Sequence, residues 1–313
     1  MRHICKPIQF AVAVTIAAAL ATAQPAANAA RKPSAAALAK RRAAAARLQK
    51  AHLAKARTPS TKGNDSNDPG PPPAGWTCAG NCGVDGADGS VTLSPAGSSS
   101  YEFVSTVNGL TGTGALPTGA LGGEIDGSTL RTPTFSATAG TLLSFYFNYV
   151  TSDGAGYSDY AWAELFSSAN APVALLFSAR TETSGSIVPG TGLPAPAATL
   201  TPASVPIISG GPTWAPLAGY SGSCYDVGCG YTGWIKSSYT IPAAGNYYLE
   251  VGVVNWDDDL YDSGLAVDGV TVGGVTVGTG GPATTPAPPA LLLALFGLAA
   301  VLLFALARRQ ARA

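Results

Sequence analysis

The densest concentration of potentially reactive groups in this chain is the stretch NWDDDLYDSGLAVDG. It places Asp257, Asp258, Asp259 and Asp262 in a loop, with Asp268 in the strand that follows. Carboxylates this close repel one another unless they are solvated or share a cation. Calcium accepts six to eight oxygen ligands and tolerates irregular loops of carboxylates and backbone carbonyls. A second acidic turn, TSDGAGYSDY, offers Asp153 and Asp159 and can approach the first in a two-sheet fold. These seven aspartates are therefore candidate ligands of a structural calcium ion, the one cofactor the sequence suggests. The spacing is not that of an EF-hand, which needs a glycine at its sixth position and a glutamate at its twelfth. The competing reading is a solvated acidic loop in which aspartate forms turns.

Other chemistry is poorly provided for. The two histidines are His3 and His52, both ahead of the central region, so that region can build neither a Ser-His-Asp triad nor a histidine metal site. No glycine-rich stretch is followed by the Lys-Ser/Thr of a phosphate loop. Glycoside hydrolysis needs only two carboxylates. Glu124, Asp126, Glu164, Glu182 and Glu250 are available, but no spacing singles out a pair. No catalytic residue is assigned, and the chain is read as non-enzymatic.

Four cysteines besides Cys5 occur as Cys78-x3-Cys82 and Cys224-x4-Cys229. In an oxidising compartment they read as two disulfides, and pairing within each short motif is favoured over the two cross-pairings. A four-thiolate zinc site is the rival. Trp214, Tyr220, Tyr225, Tyr231 and Trp234 fall within one stretch and offer flat faces on which sugar rings stack. The competing reading is that these rings pack the interior.

The charge is segregated. The formal net charge is zero, yet Trp76 to Gly281 holds three bases against sixteen acids, a net of −13. From Ala30 to Lys62 there are ten bases and no acid. This basic, alanine-rich arm favours helix locally, but its charges fall all round a helical wheel, which argues against a helix lying on a membrane. It is either a solvated, partly helical linker or a polyanion contact. The polyanion would be acidic exopolysaccharide, lipopolysaccharide phosphate or the acidic region of the chain itself. Nucleic acid is excluded as a partner if the arm is exported.

The elements that must position these groups are strands. Short apolar runs alternate with Gly, Ser, Thr and Pro turn signals, and no segment of residues 76–277 holds a sustained helical period. Strands are expected at Tyr101–Val107, Leu142–Val150, Ala161–Ser167, Val173–Thr181, Trp234–Ile241, Asn246–Trp256 and Leu265–Gly274. Leu142–Val150 is apolar on both faces and is expected to be central. Glu182 to Gly233 is expected to be a long irregular connection. Together these predict an all-β fold, a two-sheet β-sandwich of jelly-roll type.

The ends give an itinerary. A charged start, an apolar run from Ile8 to Ala23 and the sites Ala21-Thr-Ala23 and Ala27-Asn-Ala29 read as a signal peptide spanning 1–29. An uncleaved anchor is the alternative. The arm (30–62) and a Pro/Gly/Asn linker (63–75) precede the ectodomain (76–277). A second linker (278–289) leads to an uncharged apolar span (290–307), long enough to cross a bilayer as a helix. A basic tail (308–313), bearing Arg308 and Arg309, keeps that end cytoplasmic.

Linker, apolar span and arginine cluster, in that order from Pro286 to Ala313, resemble the PEP-CTERM sorting signal of Gram-negative bacteria. Pro286-Ala287-Pro288 stands where that signal usually reads Pro-Glu-Pro. The strings FNYVTSDGAGYSDYAWAEL, GCGYTGW and NWDDDLYDSGLAVDGV resemble an exported ectodomain family of PEP-CTERM proteins. YDSGLAVDGVTV is similar to the last strands of jelly-roll adhesion and carbohydrate-binding modules. The resemblance implies processing by an exosortase, membrane attachment beforehand, and release to the cell surface or extracellular matrix. It also implies a structural or adhesive role beside exopolysaccharide or in biofilm. A carbohydrate-binding module using the exposed aromatics is the second reading, and a glycoside-active enzyme the third.

Overall fold

The computed structural model describes residues 34–43, 47 and 69–278. The expected signal peptide, most of the basic arm, the apolar span and the basic tail lie outside the described residues. No helix among the described residues is long and apolar enough to cross a membrane.

Ten principal strands form two antiparallel sheets. They are β1 (Thr77–Ala79), β2 (Asn81–Asp85), β3 (Tyr101–Ser105), β4 (Glu124–Arg131), β5 (Leu142–Thr151), β6 (Tyr160–Ser167), β7 (Pro172–Arg180), β8 (Ile235–Thr240), β9 (Gly245–Trp256) and β10 (Ser263–Val272). One sheet runs β1-β4-β9-β6-β7 and the other β8-β5-β10-β3-β2, with Thr199–Thr201 added outside β8. All seven expected strands are present, with ends shifted by one or two residues. The sequence reading passed over β1, β2 and β4. Each is short or interrupted by glycine, so its apolar alternation is weak.

The core lies between the sheets. Side chains that alternate along β5, namely Leu143, Phe145, Phe147 and Tyr149, all face it. Phe147 stacks on Phe177 of β7 across the two layers, with ring centres 3.8 Å apart. β5 is central, as its two apolar faces suggested, lying between β8 and β10. Its outer face is only partly covered, since Val150 is buried while Leu142 is exposed.

Consecutive strands often change sheets, and this places the site. The connection from β5 to β6 passes from one sheet to the other, and so does that from β9 to β10. Antiparallel pairing sets Thr151, ending β5, opposite Ser263, opening β10. It likewise sets Val254, near the end of β9, opposite Tyr160, opening β6. Both crossover loops therefore close the same end of the sandwich, and both are the acidic stretches singled out above.

The cysteines pair as Cys78–Cys82 and Cys224–Cys229. Cys78 lies on β1 and Cys82 on β2, which belong to opposite sheets, so this bridge joins two sheet edges as well as shaping a turn. The connection Glu182 to Gly233 is less irregular than expected. It holds short strands and a 3-10 helix at Ala215–Tyr220.

Candidate functional site: a guanidinium cage

The two crossover loops meet around a cation, and the cation is a side chain of the basic arm. Residues 35–43 form a helix. Ser34 begins it, with its Oγ accepting a hydrogen bond from the Ala37 amide, as an N-cap serine does. Ala37, Leu38 and Arg41, three and four residues apart, share the less exposed face, and Lys40 and Arg42 are exposed. Arg41 is completely buried.

Its guanidinium forks onto Asp153, one nitrogen to each carboxylate oxygen. Nη2 also donates to Asp258 Oδ1 at 2.8 Å and to the carbonyl of Leu260. Nε forms an ion pair with the second oxygen of Asp258. Three tyrosine rings surround the group. The guanidinium carbon lies 3.6 Å from the ring centre of Tyr157, 4.7 Å from Tyr225 and 5.3 Å from Tyr261. Planar bidentate pairing and stacking on aromatic faces are properties of arginine that lysine lacks.

Several elements hold this cage. Asp153 follows β5, and its Oδ1 accepts the Gly154 amide at 2.6 Å. Gly154 has to be glycine, because a Cβ there would lie 2.6 Å from the Cβ of Asp226. Asp258 Oδ1 accepts the Leu260 amide at 2.9 Å. Asp257 and Tyr261 in the same loop have positive φ, 72° and 61°, a costly conformation for residues with a Cβ. Tyr225 lies inside the ring closed by Cys224–Cys229, and its amide donates to the carbonyl of Ser152 at 3.0 Å. That disulfide thus fixes one wall of the cage against the loop that carries Asp153.

The electrostatics are those of buried acids facing a buried base. Burial pushes Asp153, Asp159 and Asp258 above the usual carboxylate range, and Arg41 pulls each of them back. The carboxylates in turn hold the Arg41 guanidinium more firmly protonated than usual, against the effect of its burial. Asp262 is pushed up to about 7 by burial, opposed by the hydroxyl of Thr106, which donates to it at 2.9 Å.

The seven candidate calcium ligands do not converge on one point. Asp153 and Asp258 do meet, as the pairing of the two acidic turns implied. Asp159 stands behind them and accepts the Trp256 amide at 2.9 Å and the Ser263 hydroxyl at 2.6 Å. Asp262 turns to Thr106. Asp257 is half-buried and Asp259 exposed. Asp268 lies five residues up β10 from Ser263, roughly 17 Å away along the strand, where it accepts from Ser94, Ser98 and the Gly269 amide. Among the described residues no three acidic, histidine or cysteine side chains are grouped to hold a metal ion. The cation that Asp153 and Asp258 share in the structure is the Arg41 guanidinium. Sequence reasoning missed Arg41 as the partner, because nothing in its neighbourhood distinguishes it from Arg42 or Arg47. The only signal was the charge segregation, which left the acidic region of the chain open as the arm's target.

The five candidate sugar-stacking rings also part company. Trp214 is completely buried. Its ring sits over Gly264, where a Cβ would come within 2.5 Å of it, and its Nε1 donates to the Tyr101 hydroxyl at 2.9 Å. It cannot carry a sugar. Tyr231 and Trp234 are half-buried against the same cluster, and Trp234 Nε1 donates to the Thr92 carbonyl at 2.8 Å. Tyr220 and Tyr225 each pack on Tyr261 with ring centres 4.9 Å apart. These rings are walls of the cage and lining of the outer layer, not a coplanar platform. Of the carboxylates considered for hydrolysis, Glu124 accepts from the Tyr160 hydroxyl and the Leu121 amide, and Glu164 from the Thr118 hydroxyl.

No family model matches this chain, and no curated protein matches it by sequence. Among solved structures, it is similar to the K1 and K3 cleaved adhesin domains of Lys-gingipain from Porphyromonas gingivalis W83. Each is 14% identical, with TM-scores of 0.32 and 0.31, over 64% of this chain and 91% of the domain. It is also similar to the enzymatically active domain of tailspike protein 4 of bacteriophage CBA120. That match is 11% identical with a TM-score of 0.29, over 64% of this chain and 19% of the tailspike chain. At such scores these neighbours assign no activity and no ligand to this chain.

Proposed function

We propose that this is an exported structural or adhesive protein of the cell surface or extracellular matrix, an acidic β-sandwich fastened to its own basic arm. The observation that carries the reading is the Arg41 cage. A fork of hydrogen bonds, two carboxylates and three aromatic faces hold a side chain of the same chain. The two disulfides support an oxidising compartment. The alternation of successive strands between sheets supports the jelly-roll form of the sandwich. The charge-free span and arginine cluster support membrane attachment followed by exosortase processing near Pro286-Ala287-Pro288, with exopolysaccharide or lipopolysaccharide as neighbours of the exposed bases of the arm. The reading is of a protein without catalytic activity.

The test is the mass and location of the mature chain. Expression in a Gram-negative host with an exosortase should give a surface or secreted species that begins near Ala30, lacks the residues after Pro288 and contains no free thiol. Recovery from the cytoplasm, with all cysteines reduced and both ends intact, would overturn it.

A further inference from the structure

Among the described residues, the hydrogen bonds that seat Arg41 run between its own side chain and one end of the sandwich, while its neighbours Lys40 and Arg42 are exposed. The 25 residues of sequence between Ala43 and Pro69 have a contour length of at most roughly 85 Å, longer than a domain is wide. The cage therefore recognises an arginine on a short helix, whichever copy of the chain supplies it. The cage also needs an occupant, since Asp153 and Asp258 are buried and both form ion pairs with Arg41.

We propose that the cage is an exchange site, entered by Arg41 from the arm of a second copy of this chain. No new recognition is required, because donor and acceptor surfaces are those already seen. The arm and the cage are different patches, so the contact is heterologous and can propagate from copy to copy. A reciprocal pair is its smallest closed product. At low concentration the chain's own arm prevails, because covalent linkage makes its docking intramolecular, with an effective concentration of order millimolar for a short linker. Crowding at a surface, or cleavage within the arm, shifts the balance to exchange. This rests on the cage described above, but not on where the protein resides, which the mature mass tests separately.

Complementation tests it. In the full chain, Arg41→Ala leaves a cage without its own arginine, and Asp153→Asn leaves an arginine without a sound cage. Each alone should sediment as a monomer. Mixed in equal amounts at about a hundred micromolar, they should form a species of twice the mass with one copy of each. Two monomers in the mixture, with both variants folded by near-ultraviolet circular dichroism, would overturn the proposal. Because Asp153→Asn can itself unfold the end of the sandwich, a labelled peptide of residues 30–50 is titrated into the Arg41→Ala chain as well. Binding should saturate, weaken at least tenfold when the peptide carries lysine at position 41, and weaken at least tenfold against the wild-type chain, whose cage is filled. Equal binding of the arginine and lysine peptides would mean a diffuse charge attraction and would sink the exchange site.

Discussion

Arg41 is the residue on which the site turns. Removing one member of a buried ion pair costs about 3–5 kcal/mol when the other is left without compensation. Arg41→Ala exposes Asp153 and Asp258 to that penalty, reduced by any water that enters. A fall in Tm of several degrees is expected in thermal unfolding. Arg41→Lys should recover less than half of it, since an ammonium cannot fork onto Asp153 or stack on Tyr157. Full recovery by lysine would show that charge alone matters. Asp262 gives a pH signature of its own. Burial carries its carboxyl from 3.8 to about 7, so between those values the folded chain holds a proton that the unfolded chain has lost. Stability therefore falls as pH rises from about 4 to about 7. Asp262→Asn should make the decline in Tm across that range shallower. Docking of the arm runs the other way, because Arg41 favours the ionised form of Asp153. Protection of residues 35–43 from proteolysis should weaken as the medium becomes acidic. The acids of this site could be read in the sequence as a cluster needing a cation. Which cation could not, since a contact between residues 112 apart leaves no periodicity behind.

At the scale of elements, the long strands were legible because each carries a strong alternation or a continuous apolar run. β1 and β2 were not, because Cys78 and Cys82 drew attention to a turn, and the change of sheet occurs within Gly80. The aromatic stretch stayed ambiguous for a related reason. Composition counts rings, and only packing tells which face water. Trp214, for which the sequence left sugar stacking and interior packing both open, closes the outer layer over β3 and β10. Trp214→Ala should cost about 3–5 kcal/mol, as for other buried aromatic truncations, and a change of less than ~1 kcal/mol would place that ring outside the core. The Cys224–Cys229 bridge has a different expected signature. Replacing both cysteines by serine should lower Tm only slightly, since so short a loop restrains little chain entropy. It should however release Tyr225 and increase hydrogen exchange in both residues 35–43 and the loop after β5. Exchange unchanged in the arm would mean that the bridge does not support the cage.

For the whole molecule, a neutral total conceals a basic arm and an acidic sandwich, joined among the described residues at the buried Arg41. Exposed charges on the arm are screened by salt within about 10 Å at 0.1 M, but a buried fork is screened far less. The arm should therefore remain docked at salt concentrations that abolish a diffuse attraction. The most direct measurement is a double-mutant cycle in the full chain, with unfolding free energies for wild type, Arg41→Ala, Asp153→Asn and both together. If the guanidinium sits on Asp153, the two substitutions are not additive, and a coupling of about 1–3 kcal/mol is expected for residues in direct contact. Additivity to within ~0.3–0.5 kcal/mol, the behaviour of sites that do not touch, would contradict the cage.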